Sequence, residues 1–329
     1  MVLVLLSFIE REAGDAIFVP PEVLEKREEG LGDWAPVGSK FGQPKASPWE
    51  FLGPRPIYGE SWSDGTVSGR VVYILPHPTD ENIIYIAAAQ GGVWRTTDGG
   101  QTWEPLTDEL PSISSGALAF EPGNPNVIYY GTGEMHFCGD CSSGDGLFKS
   151  TDGGLTWTKI AGRDEVGYYI SKIYVHPNDP KVILVASNRG VVRSADGGQT
   201  WQVVLSGSWV TDLVARPDNP DVIYAGMLFS GIYRSSDGGQ TWTRLSNGLP
   251  AQGQFTRVQI AIAPSDPDVM YASFTDTDWM SLEGFYYSND GGASWTRRNG
   301  TPDYLYPQGF YDHTIACLLY TSPSPRDRG

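Results

Sequence analysis

An eight-residue phrase, Thr/Ser-x-Asp-Gly-Gly-x-Thr/Ser-Trp, occurs five times in this chain. It runs from Thr96 to Trp103, Ser150 to Trp157, Ser194 to Trp201, Ser235 to Trp242 and Ser288 to Trp295, once every 41 to 54 residues. Self-similarity at that period marks one supersecondary unit used repeatedly, and four short antiparallel strands fit the length. The sequence therefore predicts an all-β chain of blades.

The residue types suit a tight hairpin corner with a plug. An aspartate accepts hydrogen bonds from backbone N–H groups just ahead of it, and a Gly-Gly pair supplies positive φ without a steric penalty. Asp98, Asp152, Asp196, Asp237 and Asp290 are thus expected to be structural. Trp103, Trp157, Trp201, Trp242 and Trp295 are large enough to fill the wedge between neighbouring blades, with the indole N–H seeking a carbonyl.

Upstream of each corner lies a second recurring element, such as LAFEPGNPNVIY from Leu118 and LVARPDNPDVIY from Leu213. Apolar β-branched runs around a Pro/Asn/Asp turn read as a hairpin. Each unit is therefore strand A, proline turn, strand B, connection, strand C, corner and strand D. Five such blades are complete, and His313-Thr314-Ile315-Ala316 begins a sixth that is cut short, so the chain reads as part of a larger ring. Strands that run up and down place every A–B turn and C–D corner on one side, and every B–C and D–A connection on the other. The B–C connections are long at Gly131–Gly146 and Phe274–Gly284 but short at Asn188–Gly190. Loops on a rigid scaffold are where binding and catalysis usually sit.

The candidates on that loop-rich side are Asp64, Arg70, Glu134, His136, Trp209, Asp212, Asp276, Asp278, Trp279, Tyr311, Asp312 and His313. Carboxylates beside aromatic platforms suit a cleft that stacks on sugar rings. One carboxyl could protonate a leaving oxygen while another acts as base or nucleophile, with Asp64, Glu134 and Asp312 as the acids to consider. For any single residue, an ordinary rim carboxylate or aromatic is the more frequent role, by roughly two to one.

The repeated phrase resembles the Asp-box, or BNR repeat, of sialidases, xyloglucanase-type glycoside hydrolases, the sortilin-type (VPS10) receptor domain and a photosystem II assembly factor. All are β-propellers, so the resemblance implies that fold over about residues 57–316. Sialidases of this group carry an arginine triad, an Arg-Ile-Pro motif and a Tyr/Glu pair. Here Arg55-Pro56-Ile57 scrambles the motif, and Arg70 is the one arginine well placed at the start of a strand A. Xyloglucanase-type enzymes place an acid at the Gly-rich start of the first strand A; Val67-Ser68-Gly69 offers a serine, with Asp64 four residues earlier. Gly91-Gly92-Val93-Trp94, Gly131-Thr132-Gly133-Glu134 and Gln308-Gly309-Phe310-Tyr311-Asp312 look like the sortilin-like and glycosyl-hydrolase-like bacterial members. What the resemblance implies first is a module that binds a peptide, protein or polysaccharide. A glycoside hydrolase and a complex-assembly factor are the alternatives.

Net charge is −16, which repels nucleic acid and anionic membranes, and no apolar run approaches the ~20 residues of a membrane span. Neither nucleic-acid binding nor membrane insertion is expected. Residues 1–56 read as a lead-in: an apolar start, MVLVLLSFI, like part of a signal peptide, then a short helix over Glu22–Glu29 and a Gly/Pro-rich stretch. Extracellular or periplasmic export follows from that start and from the resemblance. His136, Cys138 and Cys141 form H-x-C-x-x-C. In an exported protein, Cys138 and Cys141 would brace the loop as a disulfide, with a metal site the lesser alternative. No cofactor is expected; calcium, held by the aspartates of Asp276-Thr277-Asp278, is the alternative. Residues 317–329 break the repeat, and Cys317 to Asp327 can be back-translated into a sequencing adapter. That tail is expected to be non-native, from a metagenomic fragment.

Overall fold

The computed structural model describes residues 70–135, 141–311 and 313–317, with the backbone pairing of Leu5–Leu6, Ile57–Tyr58 and Thr66–Val67. The expected lead-in helix over residues 22–29 lies outside the described residues. Two compact units are distinguished, Met1–Phe8 with Gly69–Gly329, and Ile9–Ser68. In the second, Ile57–Tyr58 and Thr66–Val67 form an antiparallel pair.

The first unit holds five four-stranded antiparallel sheets, each in simple A-B-C-D order, and is a β-propeller. Blade I comprises Val71–Pro76, Ile84–Ala88, Gly92–Thr96 and Glu104–Pro105. Blade II comprises Ser115–Glu121, Asn124–Thr132, Leu147–Ser150 and Thr158–Ala161, and blade III Ile170–Val175, Ile183–Ser187, Gly190–Ser194 and Gln202–Leu205. Blade IV is Val210–Ala215, Ile223–Met227, Gly231–Ser235 and Thr243–Arg244; blade V is Val258–Ile262, Met270–Thr275, Leu282–Ser288 and Thr296–Arg297. Strand A packs against strand A of the next blade throughout, and Ala316–Cys317 packs in the same way beside Val258–Ile262. Four apolar clusters fill the four seams. At the seam of blades I and II, for example, Tyr85, Val93, Leu118, Ile128 and Phe148 pack with Trp157.

The repeated phrase is a hydrogen-bonded corner. In blade I, Thr96 ends strand C; its hydroxyl accepts the Gly100 N–H at 2.9 Å and donates to Asp98 Oδ1 at 2.8 Å. Asp98 then accepts the Thr102 N–H at 2.9 Å and the Thr102 hydroxyl at 2.6 Å. The same bonds recur around Asp152, Asp196, Asp237 and Asp290. The two glycines sit at φ 70° and 95° in blade I, which only glycine adopts without strain. The first glycine also docks each corner onto the A–B turn of its own blade: Gly99 N–H bonds Asn82 O, and Gly238 N–H bonds Asp221 O, each at 3.0 Å. A–B turns and corners therefore share one side, as the strand order requires.

Seams carry directed bonds as well as apolar packing. Arg95 and Tyr85 both donate to the Gly153 carbonyl in the corner of the next blade, at 3.0 Å each. Arg193 donates likewise to Gly238 O and Tyr224 to Gly291 O. In the reverse direction, Trp157 Nε1 donates to Leu106 O at 2.9 Å.

In blades I to IV the register slips by one residue near the start of strand A. Such a bulge re-aims side chains. At the slipped position, Ser171 donates to Val210 O of the next blade at 2.6 Å and Thr211 to Val258 O at 3.2 Å. Gly116 holds the same place in blade II, where a Cβ would fall 2.0 Å from Ile170 O.

The threonine hydroxyl and N–H of each corner hold Asp98, Asp152 and Asp196 ionised, with pKa lowered to about 2 from an ordinary 3.8. A carboxyl whose folded pKa is depressed contributes stability above its unfolded pKa and loses it as pH falls towards the folded one. Thermal melts followed by circular dichroism should therefore show stability falling steeply between pH about 4 and about 2. An Asp196→Ala variant should melt lower than the parent at pH 7 and show a shallower acid slope.

Candidate functional site

On the side opposite the corners, three remote segments converge on one carboxylate. Glu134, the second residue of the blade II B–C connection, is 1% exposed. Arg70, just ahead of the first strand A, places Nη2 at 3.0 Å from Glu134 Oε2. Tyr311, beyond blade V, donates its hydroxyl to Glu134 Oε1 at 2.6 Å, and the Arg70 guanidinium lies 5.4 Å from the Tyr311 ring centre. Gly133 makes this placement possible: it sits at φ 90°, and a Cβ there would fall 1.9 Å from Tyr168 O. The segment carrying Tyr311 is itself anchored, with Gly309 N–H on Met280 O and Arg257 Nη1 on Phe310 O at 3.1 Å.

Deeper between the inner strands lies a second polar group. The bulges bring Tyr73, Lys172 and Asp212, which follow the slip in blades I, III and IV, to one another. Lys172 Nζ is 3.8 Å from Asp212 Oδ1 and 5.4 Å from the Tyr73 ring centre. Asp212 also accepts the N–H groups of Leu213 at 3.0 Å and Ile260 at 2.8 Å. Burial lifts its carboxyl above the usual range, against the pull of Lys172; burial opposes the Lys172 ammonium too, but Asp212 and Tyr73 hold it up. Asp212, expected from sequence as a loop carboxylate, is 2% exposed and ties blades III, IV and V together. Strand A bulges, invisible in the sequence, turned it inward.

His313 closes the far end of the site. Its Nε2 is 2.5 Å from Ser273 Oγ and its Nδ1 2.8 Å from Thr275 Oγ1, while Tyr304 donates to Ser273 Oγ at 2.6 Å. Thr275 Oγ1 donates to Gly309 O at 3.5 Å, so the Nδ1 proton points to Thr275 and Nε2 accepts from Ser273. Burial, with Arg257 adding to it, drives the His313 pKa well below 6.5.

Among the described residues, the remaining aromatic candidates lie in a row of three rings and in a pair. The Trp209 ring lies 5.5 Å from that of Tyr169, which lies 4.9 Å from that of Tyr168. Trp279 meets Phe229 edge to face at 5.5 Å. Among the described residues these two, at φ 57° for Phe229 and 67° for Trp279, are the non-glycine residues with positive φ. For bulky side chains that conformation costs on the order of 1 kcal/mol or more. Asp276 accepts the N–H groups of Met280 and Ser281 at 3.0 and 3.2 Å, so one of its oxygens shapes the turn under Trp279. Asp278 is exposed beside Trp279. Among the described residues no group of three or more His, Cys, Asp or Glu gathers at metal-binding range. Cys141 is disulfide-bonded. Asp64, His136, Cys138 and Asp312 lie outside the described residues.

With this geometry in hand, comparison with known proteins is decisive for family. The pattern of the Sortilin-Vps10 family (sortilin, neurotensin receptor 3) matches residues 58–190 and 189–301. The chain belongs to the Sortilin-Vps10 family. This Sortilin-Vps10 chain is 34% identical over 113 residues to the xyloglucanase Xgh74A of Acetivibrio thermocellus, a match covering 30% of the chain and 12% of that protein. It is 40% identical over 80 residues to the vacuolar protein sorting/targeting protein 10 of Penicillium rubens, covering 22% and 5%. Among solved structures, an ancestral GH74 enzyme superposes with a TM-score of 0.61 at 22% identity, over 78% of this chain and 33% of that one. The matched part of this chain thus spans a third or less of each of these proteins.

Two measurements check the site. Tyr311→Phe removes a hydrogen bond to a charged group and should cost about 2 kcal/mol in urea unfolding, without displacing Glu134. His313 is neutral in the fold, so the unfolded chain binds more protons below pH about 6.5 and stability falls as pH drops from 7 to 5. A His313→Gln variant should show a weaker slope over that interval.

Proposed function

We propose that this chain is the ligand-binding propeller of an exported protein, which holds a peptide, protein or glycan on the B–C and D–A side. The observation that carries this reading is how Glu134 is used. Both of its oxygens are engaged, by Arg70 and by Tyr311, and it is buried. A general acid must reach a glycosidic oxygen, and its partner acid must stand roughly 5 to 9.5 Å away. Among the described candidates Asp212 is enclosed by Lys172 and backbone N–H groups, and Asp276 shapes a turn. What this side presents instead is a braced polar centre flanked by Trp209–Tyr169 and Trp279–Phe229. Aromatic anchors around fixed polar groups are what a recognition surface uses. The disulfide at Cys141 fits an oxidising compartment.

A glycoside hydrolase is the second reading, favoured by the matches to xyloglucanases. The two separate on one assay. The full chain is incubated with xyloglucan and with arrayed glycans and peptides, and both retention and new reducing ends are recorded. Retention without new reducing ends is expected. Reducing ends that appear with the parent and vanish with Glu134→Gln would move the assignment to the hydrolase.

A further inference from the structure

Phe229 and Trp279 occupy backbone positions that glycine would fill more comfortably. Phe229 is the middle residue of the blade IV B–C turn, and Trp279 lies in the blade V connection between Thr275 and Leu282. At φ 57° and 67° each Cβ is crowded by its own backbone, and glycine would remove that strain. The other short B–C turns carry a glycine or a polar residue at their tips, as in Asn188-Arg189-Gly190. Bulky aromatics kept at two strained tips and in contact, Phe229 exposed and Trp279 part-buried, point to a role in recognition as well as in packing.

The pair is also rigidly mounted. Thr256, 1% exposed, accepts the Phe229 N–H at 2.8 Å through its carbonyl and donates its hydroxyl to Asp276 O at 2.9 Å. One buried residue thus pins both turns. The Phe229 turn is braced further by Arg244 Nε on Ser230 O and by the Gln252 amide on Ser230 Oγ. The rings meet at 82°, giving two walls of a corner, and Phe229 is 47% and Met280 40% exposed. Preorganised aromatic walls bind without an ordering cost at the moment of contact.

The polar groups around this corner indicate its occupant. Arg244 is directed to a backbone carbonyl, and Asp276 and Asp303 accept backbone N–H groups, so these charges are committed to the turns. The exposed Asp278 carboxylate and the exposed Gln252 side chain, whose N–H donates to the Ser230 hydroxyl that also pairs with Tyr233, supply hydrogen-bonding groups beside the corner. A pyranose ring offers C–H groups on its face and hydroxyls at its edge, which is the complement of aromatic walls with such groups beside them. On a chain of net charge −16, an acidic polymer is repelled. We infer that Phe229 and Trp279 form a clamp for one or two rings of an uncharged polysaccharide. This rests on the ligand-binding reading and gives it a substrate class and a place.

Affinity electrophoresis of the full chain tests it, in gels containing galactomannan, hydroxyethylcellulose, xyloglucan or, as the charged comparator, polygalacturonate. Parent, Phe229→Gly and Trp279→Gly are run in each gel, and each protein's melting temperature is measured. At least one neutral polymer should retard the parent. Both glycine variants should bind it at least tenfold more weakly while melting no lower than the parent, because glycine relaxes the strained φ. Variants that melt several degrees lower would show the aromatics to be packing residues and overturn the clamp. Variants retarded as strongly as the parent would also overturn it, yet leave ligand binding elsewhere on this side standing. Retardation by polygalacturonate alone, or by no polymer while an arrayed Lys/Arg-rich peptide binds the parent and not the variants, would overturn the sugar assignment in favour of a charged partner. If the parent binds no polymer and no arrayed peptide, both the clamp and the wider binding reading fall.

Discussion

Every blade depends on an ionised carboxylate that is stabilised by hydrogen bonds and, among the described residues, pairs with no cation. Asp98 and its four counterparts each draw in a threonine or serine hydroxyl and a backbone N–H from four residues ahead, and that closure turns strand C into strand D. The same turn lays a glycine N–H on the A–B hairpin. One short-range interaction therefore fixes both turns on one side of the sheet and leaves the opposite side unconstrained. Sequence variation in length can accumulate only there, in the connections after strands B and D. The separation of scaffold from recognition surface follows from where the aspartate sits.

This division also explains what could be read from the residues alone. The blades were legible because everything that defines a corner lies within eight residues, and a periodic local signal survives without knowledge of contacts. The side bearing the long connections followed from strand order. The convergence on Glu134 was legible only as separate candidates, since Arg70 is 64 residues away and Tyr311 177 residues away. Sequence supplied the three residue types but no reason to join them. Asp212 went the other way: its neighbours read as a strand start near a loop, and a one-residue slip in register turned the side chain inward. Phe229 and Thr256 carried no signal at all. A backbone φ is set by the turn around a residue, and a threonine inside a connection is ordinary until its hydroxyl is seen to hold two loops.

The inner strands show how polar groups can be enclosed without being orphaned. Lys172, Asp212 and Tyr73 come from three blades and satisfy one another, with the backbone of blade V completing the Asp212 shell. Removing one member of such a group would strand a buried charge, which is far more damaging than never having built the group. His313 follows the same rule in uncharged form, held between two hydroxyls whose proton directions agree. Both groups sit where blades meet, so they add specificity of register to seams whose apolar packing alone would tolerate sliding.

The bonds that reach the corner glycines across the seams share a direction. Arg95, Arg193 and Tyr224 each reach forward from one blade into the glycine carbonyl of the following corner. At these three seams the donor lies on the leading flank and the accepting glycine carbonyl on the trailing flank, while Trp157 returns a bond the other way to Leu106 O, so each contact joins two different flanks and is head to tail. A copied unit inserted between two others meets a compatible surface on both sides without any new residue having to arise. Tandem duplication within the gene is then sufficient to lengthen the arc, and the number of units can drift among descendants while the joint between them stays the same.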